Sequence, residues 1–176
     1  MSNLADIDID SLGKSSPPPE PGWYHLKLCG YQAKTFPKGT IGHQLTFQII
    51  GTTQELSSER GKYIYENFFQ HTAVFWKLIA ILGVALGIYS KDYLKALQDK
   101  GEDLPMPEFD SWVGATCIGR IKHETDKNDP NKVYGKVGFD FQPTDSETVQ
   151  VAGIVLCATS AKEGEQVQAT AEADVF

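Results

Sequence analysis

Residues 73–86 are the stretch of this chain with the clearest periodicity of a core helix, and they stand between three segments of strand character and two more. Phe75, Leu78, Ile79, Leu82 and Leu86 follow the i, i+3, i+4, i+7 stripe, Thr72 stands where an N-cap belongs, and Gly87 supplies a stop. Ahead of the helix, alternation predicts strands over about 23–34, 43–50 and 62–71. Leu45, Phe47 and Ile49 share one face of the second, and Ile64 and Phe68 one face of the third. Behind it, strands are predicted over about 112–123 and 132–141, separated by the polar, proline-containing turn 126–131. The order β, β, β, α, β, β predicts a mainly β protein: a five-stranded OB-type Greek-key barrel with a helix between strands 3 and 4, a closure that removes sheet edges.

Val74, Ile81 and Ala85 make the rest of the helix apolar as well, so the following segment covers it or a second copy does. Cover by the insert, whose residues 92–100 are predicted as a short helix, is the commoner fate and is preferred; self-association stays open. The same run is too short to span a bilayer and carries Lys77, so no membrane segment is expected.

At 176 residues the chain suits one compact domain with flanking tails. The divisions are an acidic, proline-rich N-terminal arm (1–21), the barrel (22–143), and a segment (144–176) holding a further edge strand over 149–158 and an acidic, flexible tail. The net charge of −7 argues at first against a nucleic-acid partner. Its distribution reverses that: the arm carries −3 and the final segment −5, leaving the barrel at +1 with 14 basic side chains to place on one face or another. Cys29, Cys117 and Cys157 are widely spaced and odd in number, a poor disulfide framework. With an acidic start unlike a signal peptide, a cytoplasmic location is expected.

His25, His43, His71 and His123 fall on or beside four different predicted strands without metal-ligand spacing, and no phosphate-binding glycine loop is present. Neither a catalytic residue, a metal nor a cofactor is expected. Strand positions instead interleave aromatics with bases: Trp23, Lys27 and Tyr31 on the first, Tyr63, Tyr65 and Phe69 on the third, Arg120 and Lys122 on the fourth, Tyr134 and Lys136 on the fifth. Unstacked bases offer π faces to rings and phosphates require cations, so these ten residues are the candidate single-stranded DNA site. Trp23, His25, Lys27 and Tyr31 share parity against Tyr24, Leu26 and Leu28, while Tyr134 and Lys136 oppose Val133, Val137, Phe139 and Phe141. The competing reading makes some of these rings ordinary core and some of the cations merely solvated. At the C-terminus, Glu172, Asp174, Val175 and Phe176 combine acids, a ring and an α-carboxylate, which a basic-rimmed apolar pocket on a partner can capture.

The entry Pro-Glu-Pro-Gly-Trp-Tyr at 19–24, the strand at 45–51, Glu66-Asn67-Phe68 leading into the helix at 77–83, Trp112-Val113-Gly114 and Tyr134-Gly135-Lys136-Val137 together resemble the phage-encoded single-stranded DNA-binding protein family. The similarity covers about two thirds of the chain. It implies an OB-type fold serving bacteriophage DNA replication or recombination, and the acidic tip ending in Phe is similar to the tips of bacterial and T7-like single-stranded DNA-binding proteins. The insert at 89–110 and the apolar run at 149–158 depart from that pattern. The expected protein is not an enzyme: it coats single-stranded DNA and recruits replication or recombination proteins through its tail. The alternatives are a phage adaptor or host-factor inhibitor acting through protein contacts, and a metal-dependent nuclease.

Overall fold

A computed structural model describes residues 17–157. The tail tip Glu172, Asp174, Val175 and Phe176 lies outside the described residues, as does most of the N-terminal arm. The described chain is mainly β. Strands β1 (Gly22–Thr35), β2 (Ile41–Gly51) and β3 (Tyr63–Phe69) precede helices α1 (Phe75–Ala85), α2 (Lys91–Lys100) and α3 (Phe109–Trp112). Then come β4 (Thr116–Thr125), β5 (Val133–Lys136), β6 (Phe141–Gln142) and α4 (Thr148–Ala152). Six antiparallel strands make one sheet in the order β3-β2-β1-β4-β5, with β6 also pairing β4.

The sixth strand arises because the expected 132–141 strand breaks in the middle. Gly138 adopts φ +66°, a left-handed conformation that favours glycine, and Asp140 N–H donates to Val137 O across the turn. The break turns the Val137 N–H inward onto the carboxylate of Glu66 on β3. Glu66 is buried, and it ties together the two ends of the sheet, β3 and the β5–β6 turn, which the strand pairings themselves leave unjoined. The same turn sends Phe139 outward, correcting its assignment to the face of Val137 and Phe141, both of which are buried.

Alternation puts Leu26, Leu28, Leu45, Phe47, Ile49, Ile64 and Phe68 into a single core, closed by Phe75, Ile79 and Leu82 of α1. The helix stripe is where the sequence placed it. Thr72, however, is not the N-cap: its hydroxyl donates to Phe69 O, and α1 starts with no side-chain cap. Nor does the expected second helix provide the cover, since α2 buries none of its residues. Cover comes from the residues on either side of it. Ile88 and Tyr89 N–H fold back onto Gly83 O, and the Tyr89 ring lies so close over Gly83 that a Cβ there would be 2.2 Å from it. Tyr89 in turn meets Trp112 edge-on at 5.6 Å. Trp112 is therefore a buried helical residue and not the start of the fourth strand, which begins at Thr116.

The apolar run after residue 148 does not add an edge strand as expected. Thr148–Ala152 is a helix stopped by Gly153 at φ +72°, and residues 154–157 form a strap across the ends of β1 and β2, with Ala158 outside the described residues. Val155 N–H donates to Thr52 O and Cys157 N–H to His25 Nδ1 at 3.0 Å. The strap buries His25, whose parity with Trp23 and Lys27 had placed it outside, and burial lowers its pKa to about 4. Among the described residues, no helix is long and apolar enough to cross a membrane.

Candidate nucleic-acid interface

On β3, Ile64, Glu66 and Phe68 take the inner positions, so Tyr63, Tyr65 and Asn67 must point out. Both tyrosines are about half exposed, at 50% and 54%, far more than rings in a core. Pairing with β2 extends them into rows: Gln48 lies opposite Tyr63, Thr46 opposite Tyr65 and Gln44 opposite Asn67. On the next strand Lys27 lies opposite Gln48 and Gly30 opposite Thr46. The result is an outer platform of rings, amides and a hydroxyl with one lysine, and the Gln48 amide donates to the Tyr63 hydroxyl at 3.4 Å.

Beside this platform, where β3 approaches β5, runs a groove of about 1070 Å³. Tyr63, Tyr65 and Asn67 form one wall, Lys132, Tyr134 and Lys136 the other, and Arg60, Lys62 and residues 17–19 also line it. The proline segment is held by the His123 ring at Pro19 O, 2.7 Å away. It also crosses Gly135, where a Cβ would come within 3.4 Å of Pro19 Cδ. Tyr134 is oriented rather than loose: its hydroxyl donates to Asp126 Oδ2 at 2.6 Å and Lys132 Nζ stands 5.4 Å from its ring centroid. That hydrogen bond, with one from Asn128 N–H, holds the Asp126 carboxyl below the usual range, so the acid stays ionised and the ring stays anchored.

The groove cations differ in freedom. Lys62 pairs with Glu59, and Lys136 with Glu124 at 3.3 Å, whereas Arg60 and Lys132 have no ion-pair partner among the described residues. A polyanion would find Arg60 available at once, while Lys132, held at Tyr134 with its pKa raised by Tyr134, Asp126 and Asp129, would exchange partners as Lys62 and Lys136 would.

The ten sequence candidates thus separate. Tyr63, Tyr65, Tyr134 and Lys136 meet in the groove, and Lys27 is on the adjoining platform. Trp23 and Arg120 lie opposite each other on β1 and β4, away from it, and Lys122 is paired with Asp140 at 2.7 Å. Phe69 sits at the far end of β3 against Phe36, ring centroids 5.3 Å apart. Tyr31 faces inward: its hydroxyl is 2.7 Å from His43 Nδ1, its ring 4.9 Å from Phe109. The reason is a β-bulge. Leu28 pairs with Phe47 and Gly30 with Thr46, leaving Cys29 extra and reversing the parity beyond it. Arg60, Lys62, Lys132, Gln44 and Asn67 were not among the candidates: Arg60 lies in a turn and Lys62 and Lys132 just ahead of β3 and β5, where no periodicity marks them, while Gln44 and Asn67 hold outer strand positions that alternation marks but are neither rings nor cations.

Among the described residues, no cluster of three His, Cys, Asp or Glu side chains is placed to hold a metal ion. A scan against protein-family models finds none that matches the chain, and a search of curated proteins finds no match.

Proposed function

We propose that this protein binds single-stranded DNA along the groove between β3 and β5 and the platform beside it. One observation carries the reading: two half-exposed tyrosines on β3 face an anchored tyrosine on β5 across a groove with Arg60 and Lys132 in its lining. Rings for bases and cations for the backbone are the two requirements of single-strand binding, and amides from Gln44, Gln48 and Asn67 add sequence-tolerant hydrogen bonds. We read the sheet as an OB-type barrel closed at the Glu66 clasp and plugged at one end by α1. In that architecture the outer faces of the second and third strands hold the oligomer. The protein should bind oligo-dT much more tightly than duplex, with log affinity falling against log salt by about 0.7 per neutralised phosphate. Fluorescence titration at two salt concentrations measures both. Equal affinity for duplex would remove the reading, and no affinity for either would favour a protein-binding adaptor.

A DNA-coating protein needs a second contact to bring other enzymes to the strand, and the acidic tip with Phe176 has the chemistry for it. Deleting Glu172 to Phe176 should abolish capture of a replication or recombination protein from infected-cell extract while oligo-dT affinity stays level or rises. Phe176→Ala, which keeps every acid, should lose capture alone. Unchanged capture with weakened DNA binding would assign the tip to the DNA site instead.

A further inference from the structure

We propose that the bound strand does not stop at the groove but continues past the Glu66 clasp onto Phe139, Lys77 and Trp76, which form a second stacking subsite for a nucleotide. This rests on the single-stranded DNA reading above and extends the path it describes.

The clasp gives the continuity. Because Val137 N–H donates to Glu66 on β3, the turn that follows is held against the strand whose outer positions, Tyr65 and Asn67, line the groove. The next outward ring in that turn is Phe139, which is 46% exposed. Lys77 Nζ lies 5.3 Å from its centroid, and so brings the first turn of α1 alongside. The neighbouring Trp76 is 41% exposed, resting edge-on against buried Phe75 at 5.1 Å. Two large rings and a cation therefore follow the groove in sequence, the same pairing of types that lines it.

Charge favours a nucleotide here over an apolar peptide. The first turn of α1 contains no acidic residue and, with Phe75 N–H donating to Thr72 O, no side-chain cap, so the positive end of the helix dipole adds to the charge of Lys77. Asp140, the nearest acid along the chain, is engaged by Lys122. A phosphate placed by Lys77 would leave the adjoining base to lie on Phe139 or Trp76.

Trp76 is its own reporter, since Trp112 is buried and Trp23 lies on β1 away from the path. Oligo-dT of about 4 and about 16 nucleotides, the ends of the range one such domain occludes, are titrated against the full chain and its variants. The longer oligomer should quench emission that the Trp76→Phe variant lacks. Phe139→Ala should weaken the longer oligomer by about 5- to 150-fold, the equivalent of one stacked base, and leave the shorter one within about twofold. Lys77→Gln should reduce the salt slope of the longer oligomer by about 0.7. If the longer oligomer binds the groove but Trp76 emission, the Phe139→Ala affinity and the Lys77→Gln slope are all unmoved, the subsite is refuted while the groove stands. Absence of any oligonucleotide binding overturns both.

Discussion

Replacing Tyr63 and Tyr65 together by alanine should weaken oligo-dT binding by roughly 2 to 6 kcal/mol, because each ring that stacks on a base is worth roughly 1 to 3 kcal/mol. The two side chains occupy successive outer positions of β3 and would share one ligand, so their effects need not add, and the single variants should be measured beside the double. Since both rings are half exposed and the core lies behind Ile64, Glu66 and Phe68, the thermal transition of the double variant should move little. Loss of affinity without loss of fold is the expected combination. A double variant with its thermal transition intact and wild-type affinity would show that these rings do not touch the strand. Tyr134 calls for Phe as well as Ala, because its hydroxyl also anchors the hairpin through Asp126.

The second large effect is expected at Glu66. Its carboxylate accepts N–H bonds from Val137 and Gly138 in a buried position, so Glu66→Ala strands two donors. At roughly 1 to 3 kcal/mol for each unsatisfied group, the loss is roughly 2 to 6 kcal/mol, a large share of a small domain's stability. Glu66→Gln keeps an acceptor and should cost little. Burial raises the Glu66 pKa above its ordinary value, outweighing the backbone N–H groups that favour the ionised form. An acid raised in the folded state contributes stability below its unfolded pKa and loses it as pH climbs through the folded one. The wild-type melting temperature should therefore decline as pH rises above about 4.5 relative to that of Glu66→Gln, which cannot ionise. Parallel curves for the two proteins would show that the N–H groups cancel the effect of burial on the acid, and an alanine variant melting with the wild type would rule out the clasp.

The elements that a repeating pattern specifies were legible before the structure. The three early strands and the α1 stripe came from alternation and from i, i+3, i+4 spacing. So did the outward pair Tyr63 and Tyr65, since β3 alternates without interruption. What escaped was set by events with no period. The bulge at Cys29 turned Tyr31 inward, and the Gly138 turn split the last strand and exposed Phe139. The strap over His25 depends on residues 132 positions apart in sequence, a contact that local reading has no means to foresee. The groove cations Arg60, Lys62 and Lys132 lie outside the strands, and only the approach of β3 to β5 brings them together.

The single extra residue at Cys29 makes β1 a strand with two phases. Before it, Lys27 belongs to the outside of the sheet; after it, Tyr31 belongs to the inside, beside Leu45 and His43. At position 29 the thiol contributes only a contact to Thr46 O at 3.3 Å, so what the position supplies is its place in the backbone count more than its side chain. Deleting Cys29 would leave Leu28 and Gly30 as consecutive partners of Phe47 and Thr46, erasing the bulge while Tyr31 keeps its inward place, whereas inserting a further residue there without a wider bulge would set Gly30 towards Leu45 and Tyr31 in water. A strand built this way can lose its spare residue and keep its two faces, but it cannot take up a second one without turning them over.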